Sequence, residues 1–176
     1  MEVARTPRVI VGVNGSLANL EALRASVDHA RHLGAELIAV RAWLPAGGEI
    51  AYRRGPCPPL LELWRQRACD TLTTAFADAL GGPPSDLSVR CVTGRGETGP
   101  VLVAAADQPH DLLVLGTGHL GLITRRRPGA ISRYCLRRAD CPVLIVPPPE
   151  IIRTLRSRRG LDHSVFPQVT AGRPSR

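Results

Sequence analysis

The sequence contains no lysine; all 23 of its basic residues are arginine. A P-loop requires a lysine against the β- and γ-phosphates, so that class of nucleotide enzyme is excluded. Complete replacement of Lys by Arg fits a GC-rich genome better than selection for phosphate contacts. Aromatic residues make up only 3% of the chain. There is therefore no stacking platform for single-stranded nucleic acid, and the core has to be built from Val, Leu, Ile and Ala. No apolar run approaches the roughly 20 residues that span a bilayer. The start, MEVARTPRVIVGV, enters a strand-like run without a signal-peptide h-region, so a cytoplasmic protein is expected.

Cysteine is present but unpatterned. Cys57, Cys69, Cys91, Cys135 and Cys141 form no C-x-x-C pair, which argues against zinc ribbons and thioredoxin-like chemistry. Free thiols in a reducing cytosol are the expectation. His29 and His32 share one helix face but have no acidic or thiol companion, so no metal site is expected. Nor does any grouping of residues form a catalytic constellation. The formal net charge of +8 divides evenly. Six arginines after Pro149 against Glu150 and Asp162 contribute +4, leaving +4 for the body. The charge reads as a solvated basic tail, and nucleic acid is not an expected partner.

What is present is an alternation of aliphatic strands and helices. RVIVGV (Arg8 to Val13) reads as a strand, followed by the turn Asn14-Gly15 and a cap residue, Ser16. Leu17 to Leu33 has helical periodicity, stopped by Gly34 in the manner of a left-handed C-cap. Glu36 to Leu44 is a second strand and Pro45 to Pro59, rich in Pro and Gly, a loop. Leu60 to Leu80 is the longest helix. Asp86 to Thr93 is a third strand, Gly94 to Pro100 a loop and Val101 to Ala106 a short helix. Leu112 to Leu115, Gly129 to Arg138 and Val143 to Val146 complete the series as strand, helix and strand. Such alternation predicts one α/β domain of about 147 residues, residues 1–147, with parallel pairing through right-handed crossovers. Residues 148–176 read as a basic tail.

The most informative stretch runs from Asp111 to Pro147: DLLVLG, then the loop GTGHLGLITRRRPGAIS, then CPVLIVP. A buried strand opening into glycines and a helix N-terminus is a way of holding phosphate. Glycine lets backbone approach an anion, and unpaired N–H groups at the helix start point towards it. In an open doubly wound sheet, ligands bind beyond the strand C-termini where strand order reverses. The turn after the first strand and this loop both fall at that edge.

VIVGVNGS, ELIAVRAW, RGETGPVLVAAA before DLLVLGTG, and CPVLIVP, in that order, resemble the universal stress protein family over roughly Arg8 to Pro147. The resemblance implies a single doubly wound, Rossmann-like domain whose five-stranded parallel sheet has the order 3-2-1-4-5. It also implies a homodimer through the last strand, Val143–Val146, an aliphatic edge suited to pairing. Nucleotide-binding members carry a glycine, two residues, a glycine, nine residues, then glycine and Ser or Thr. From Gly116 the spacing to Gly129 is kept, but the second glycine position is His119 and the hydroxyl position is Ala130. The aspartate usual after the first strand is Asn14. Gly118 and Gly121 stand close to the expected register.

These departures have a size. Loss of a hydroxyl contact to phosphate costs about 1.5–3 kcal/mol, roughly 10- to 100-fold in affinity. Backbone donors at Gly129, Ala130 and Ile131 survive it, and Ser132 or Thr117 can replace the contact. Arg125-Arg126-Arg127 can attract a triphosphate. The resemblance therefore implies ATP, with Mg2+, as cofactor. Its ribose would lie near Gly12 and Asn14 and its adenine near Val40. The phosphates would meet Gly116, Gly118, His119, Gly129, Ala130, Ile131 and Ser132. The leading expectation is a cytoplasmic nucleotide-binding sensor or regulator that is not an enzyme and has an unknown protein partner. The alternative is a dimeric interaction module that has lost ATP binding; a slow hydrolase ranks third.

Overall fold

A computed structural model describes residues 6–117 and 129–149. The elements are β1 (Arg8–Gly12), α1 (Leu17–Leu33), β2 (Glu36–Trp43), α2 (Gly48–Arg54), α3 (Pro58–Leu80), β3 (Val89–Arg95), α4 (Thr98–Ala105), β4 (Leu112–Gly116), α5 (Ala130–Arg138) and β5 (Val143–Val146). All strand pairs are parallel. The sheet order is β3-β2-β1-β4-β5, as expected, so the reversal of strand order falls between β1 and β4.

The apolar strands are buried on both faces, and their period of two divides the core. Val9, Val11, Leu37, Ala39 and Val114 face α1 and α3, where they meet Leu23, Val27, Leu72 and Phe76. Ile10, Ile38, Val40, Leu113 and Leu115 face the other way, onto Leu102, Ala106 and Cys135. Gly34 ends α1 at φ 58, with its N–H returned to the last carbonyls of the helix. On the second face the layers approach closely. A Cβ at Gly99 would stand 2.7 Å from Tyr134 of α5, and one at Gly94 would overlap Val101 of α4. Only glycine lets α4 sit this near both neighbours.

The sheet's N-terminal edge is tied by charge. Arg8 grips the fully buried Asp111 with two guanidinium donors, its Nε lying 2.8 Å from Oδ1, and also reaches Asp107. The Gln108 N–H donates to the same Asp111 carboxylate at 3.0 Å. This set joins the start of β1 to the start of β4.

Several boundaries depart from expectation. Within the expected loop from Pro45 to Pro59 lies α2, a seven-residue helix with no buried residue. It lacks an apolar stripe, which is why its sequence reads as loop. Contacts to other elements hold it: Glu49 pairs with Arg95 at 2.9 Å, and Arg95 lies 4.9 Å above the Tyr52 ring, which packs T-shaped with Trp64. The helix α3 begins at Pro58 rather than Leu60, because proline is tolerated in a first turn where the N–H has no partner. β3 is displaced to Val89–Arg95, since pairing with β2 carries Gly94 and Arg95 opposite Ala42 and Trp43. Gly99 and Pro100 fall in the first turn of α4, which starts at Thr98 rather than Val101.

Candidate functional site

At the C-terminal edge of the sheet, β1 passes into α1 through Asn14-Gly15-Ser16. Asn19 organises this turn from inside: its amide donates to the Gly12 carbonyl and its Oδ1 accepts the Asn14 N–H at 2.7 Å. Asn14 Oδ1 in turn accepts the Ser16 N–H at 2.9 Å, closing an Asx turn. Ser16 holds the N-cap position of α1, but its side chain makes no capping bond. That corrects the expectation of a hydroxyl cap: Oγ is buried without a partner. The Val13 N–H donates to the Val40 carbonyl at 2.8 Å, continuing the β1–β2 pairing to this point.

One strand over, Thr117 follows β4, its N–H bonded to the Val146 carbonyl. Gly129 is the N-cap of α5 and passes close beside it, since a Cβ there would lie 3.5 Å from the Thr117 carbonyl. The first turn of α5 has no acidic residue and its N-cap no side-chain bond, so the leading N–H groups are free of both. Ala130 and Ile131 are exposed and Ser132 is buried.

On the opposite side of β1, the C-terminal end of β2 borders a cavity of about 330 Å³. Arg41 and Trp43 of β2, Trp64, Arg67 and Thr71 of α3, and the Gly96–Thr98 turn into α4 line it. Arg41 makes one long contact, Nη1 to the Val13 carbonyl at 3.4 Å, and its buried Nε has no partner. Burial lowers its pKa, yet a guanidinium stays protonated. No carboxylate of the described residues forms an ion pair with Arg41 or Arg67.

Three buried side-chain polar atoms of the described residues lack partners: Ser16 Oγ, Arg41 Nε and Thr117 Oγ1. Ser16 and Thr117 follow β1 and β4, and Arg41 lies in the C-terminal half of β2, so the three come from adjacent strands. Buried polar groups are nearly always paired, so three unpartnered ones on adjacent strands stand out; two of them, Ser16 Oγ and Thr117 Oγ1, flank the β1–β4 reversal of strand order.

The universal stress protein family model matches residues 6–147, nearly the whole of the described chain. The chain belongs to the universal stress protein family. The members of this family are generally stress-response proteins without enzymatic activity. A universal stress protein of Mycolicibacterium smegmatis (strain ATCC 700084 / mc(2)155) is 27% identical over 143 residues, 80% of this chain. The chain spans only 45% of that relative's length. Among solved structures, UspA from Lactobacillus plantarum has 23% identity and a TM-score of 0.61, with 81% of this chain and 99% of that one covered. A universal stress protein from Archaeoglobus fulgidus has 21% identity and a TM-score of 0.55, covering 81% and 93%. These likenesses establish the fold.

Among the residues singled out from the sequence, Gly12, Asn14, Gly116 and Gly129 to Ser132 lie at the ends of β1 and β4 and the start of α5. Gly12 is a packing position, where a Cβ would meet Leu102 Cδ1 at 2.9 Å. Val40 is wholly buried and its carbonyl is occupied by the Val13 N–H; the neighbouring Arg41 is the residue that faces the cavity. Gly118, His119 and Arg125 to Arg127 lie outside the described residues, as does the tail from residue 150. Arg41 and the cavity escaped the sequence reading. The one signal was the arginine that separates LIAV from AW in the otherwise apolar run of β2.

Proposed function

We propose that this protein is a cytoplasmic nucleotide-binding regulator of the stress response, with an adenine nucleotide, ATP, lying across the C-terminal edge of the sheet. The row of unpartnered atoms, Thr117 Oγ1, Ser16 Oγ and Arg41 Nε, carries the reading. The phosphates rest on the N-terminal N–H groups of α5, at Gly129, Ala130 and Ile131, with the Thr117 hydroxyl beside them. That hydroxyl takes the place of the one Ala130 lacks. Gly116, the last residue of β4, adjoins this seat, Gly118 and His119 complete the phosphate-contacting set on the strength of the sequence motif, and Ser132 lies in the first turn of the helix. The ribose lies by Asn14, and the base extends over β2, past Val40 towards the cavity. Strands about 4.8 Å apart put roughly 10 Å between the β4 and β2 ends, which a nucleotide spans. Mg2+ enters on the triphosphate. β5 is the edge through which two copies pair, and the protein partner that reads the bound state meets this dimer.

Calorimetric titration of nucleotide-stripped protein with ATP and Mg2+ tests the reading, with Gly129→Asp alongside. Gly129 has φ −60, so the substitution is tolerated by the backbone while setting a carboxylate against the phosphates. Micromolar binding that Gly129→Asp removes is the expected result. A folded, dimeric protein that gives no heat up to millimolar ATP would instead be an interaction module, the reading that Ala130 in the hydroxyl position favours.

A further inference from the structure

The cavity beside β2 has a charge pattern that a nucleotide's base does not explain. Its two arginines, Arg41 and Arg67, are without carboxylate partners among the described residues, and the amino end of α4 at Thr98 forms another wall. Glu97 is the one acidic residue in the lining, and its residue is exposed. Trp43 and Trp64 supply flat surface but no negative charge. A cation held partly out of water with its Nε unpaired is costly unless an anion completes it.

The position of Arg41 says which anion. Its Nη1 lies 3.4 Å from the carbonyl of Val13, the residue directly before Asn14. In the reading above, Asn14 is where the ribose sits, and this inference rests on that reading. The guanidinium therefore borders the sugar, one strand removed from the 5′-phosphate seat at Gly129 and on the far side of β1. A second phosphate carried by the ribose would meet Arg41 there, with Arg67 on the other cavity wall. Guanidinium is suited to this by its fork of donors, of which Nε is unspent.

We infer that Arg41, assisted by Arg67, recognises a phosphate on the ribose ring, so that the ligand class is a nucleotide phosphorylated at the 2′ or 3′ position as well as the 5′. The two ring positions present the same chemistry to the cavity.

The test compares adenosine 5′-monophosphate, adenosine 3′,5′-bisphosphate and adenosine 2′,5′-bisphosphate by calorimetry at one fixed salt concentration. At least one bisphosphate is expected to bind about 10- to 100-fold more tightly than the monophosphate. The tighter of the two identifies the ring position. In Arg41→Gln that ratio should fall towards one, and Arg67→Gln, on the surface of α3, should lower it in part. Equal binding of all three by the unaltered protein, or a preference that survives both substitutions, overturns the inference while leaving the nucleotide reading intact. Failure of all three and of ATP to bind overturns that reading and this inference together.

Discussion

The two edges of the sheet are built on opposite terms. At the N-terminal edge charges are matched: Arg8 with Asp111 and Asp107, Arg90 with Glu36, Arg31 with Asp86. At the C-terminal edge, three buried polar atoms have no partner, and Arg41 and Arg67 have no counter-ion among the described residues. The same strands run between them, so the difference lies in what each edge is for. One closes the fold on itself, and the other keeps unspent the hydrogen-bonding capacity that the proposed nucleotide would use.

Substitutions should separate the edges. The largest effect is expected at the closed one. Asp111→Ala strips Arg8 of its buried partner and leaves the Gln108 N–H unpaired, for a loss of about 3 kcal/mol in urea unfolding. A change under 1 kcal/mol would mean that this edge does not hold the fold. At the open edge the sign should reverse. Thr117→Val removes a buried hydroxyl that satisfies nothing, so the ligand-free protein should gain up to about 1 kcal/mol. The same variant should bind ATP more weakly, and a stability loss would show that the hydroxyl already serves the fold. Ser16→Ala should stay within about 0.5 kcal/mol of the parent, well below the usual cost of a lost N-cap, because its hydroxyl caps nothing.

The smallest effect concerns pH. The Arg31 guanidinium beside Asp86 holds that carboxyl below its ordinary value. A depressed carboxyl stabilises above its unfolded pKa, near 3.9, and that contribution fades as the pH falls below it. Asp86→Asn should therefore lower the urea midpoint slightly at pH 7, by a margin that shrinks as the pH falls through the folded-state pKa. The pair is exposed, so the pH 7 difference should be small. A gap that persists in acid would assign it to something other than this ion pair.

How far the sequence could be read depended on whether a residue's role is local. β1, α1 and β5 were legible because aliphatic runs, helical period and the Gly34 stop are written in neighbouring residues. The start of α5 was legible to within one residue, Gly129 being its N-cap rather than its first helical residue. By contrast, α2 has no apolar stripe and is held by Trp64 of the next helix and by Arg95, which is 46 residues from its partner Glu49 and so outside any window centred on α2. β3 took its bounds from register with β2 rather than from its own alternation. The cavity draws its walls from β2, α3 and the turn before α4, and only folding brings them together. Ser16 shows a residue type in the expected place with a different occupation: the position is a cap, and the side chain is not.

The glycine contacts around α4 bear on how the cavity can accommodate molecules of different size. Tyr134 and Val101 are seated in notches that a single methyl group would fill, so the wall formed by Gly96 to Thr98 behaves as a fixed jaw. The opposing jaw includes Trp64, which makes a T-shaped contact with Tyr52 on a helix that buries no side chain. The Arg95–Glu49 pair, 2.9 Å apart, ties that helix to the end of β3, so the second jaw rests on surface contacts where the first rests on packed ones.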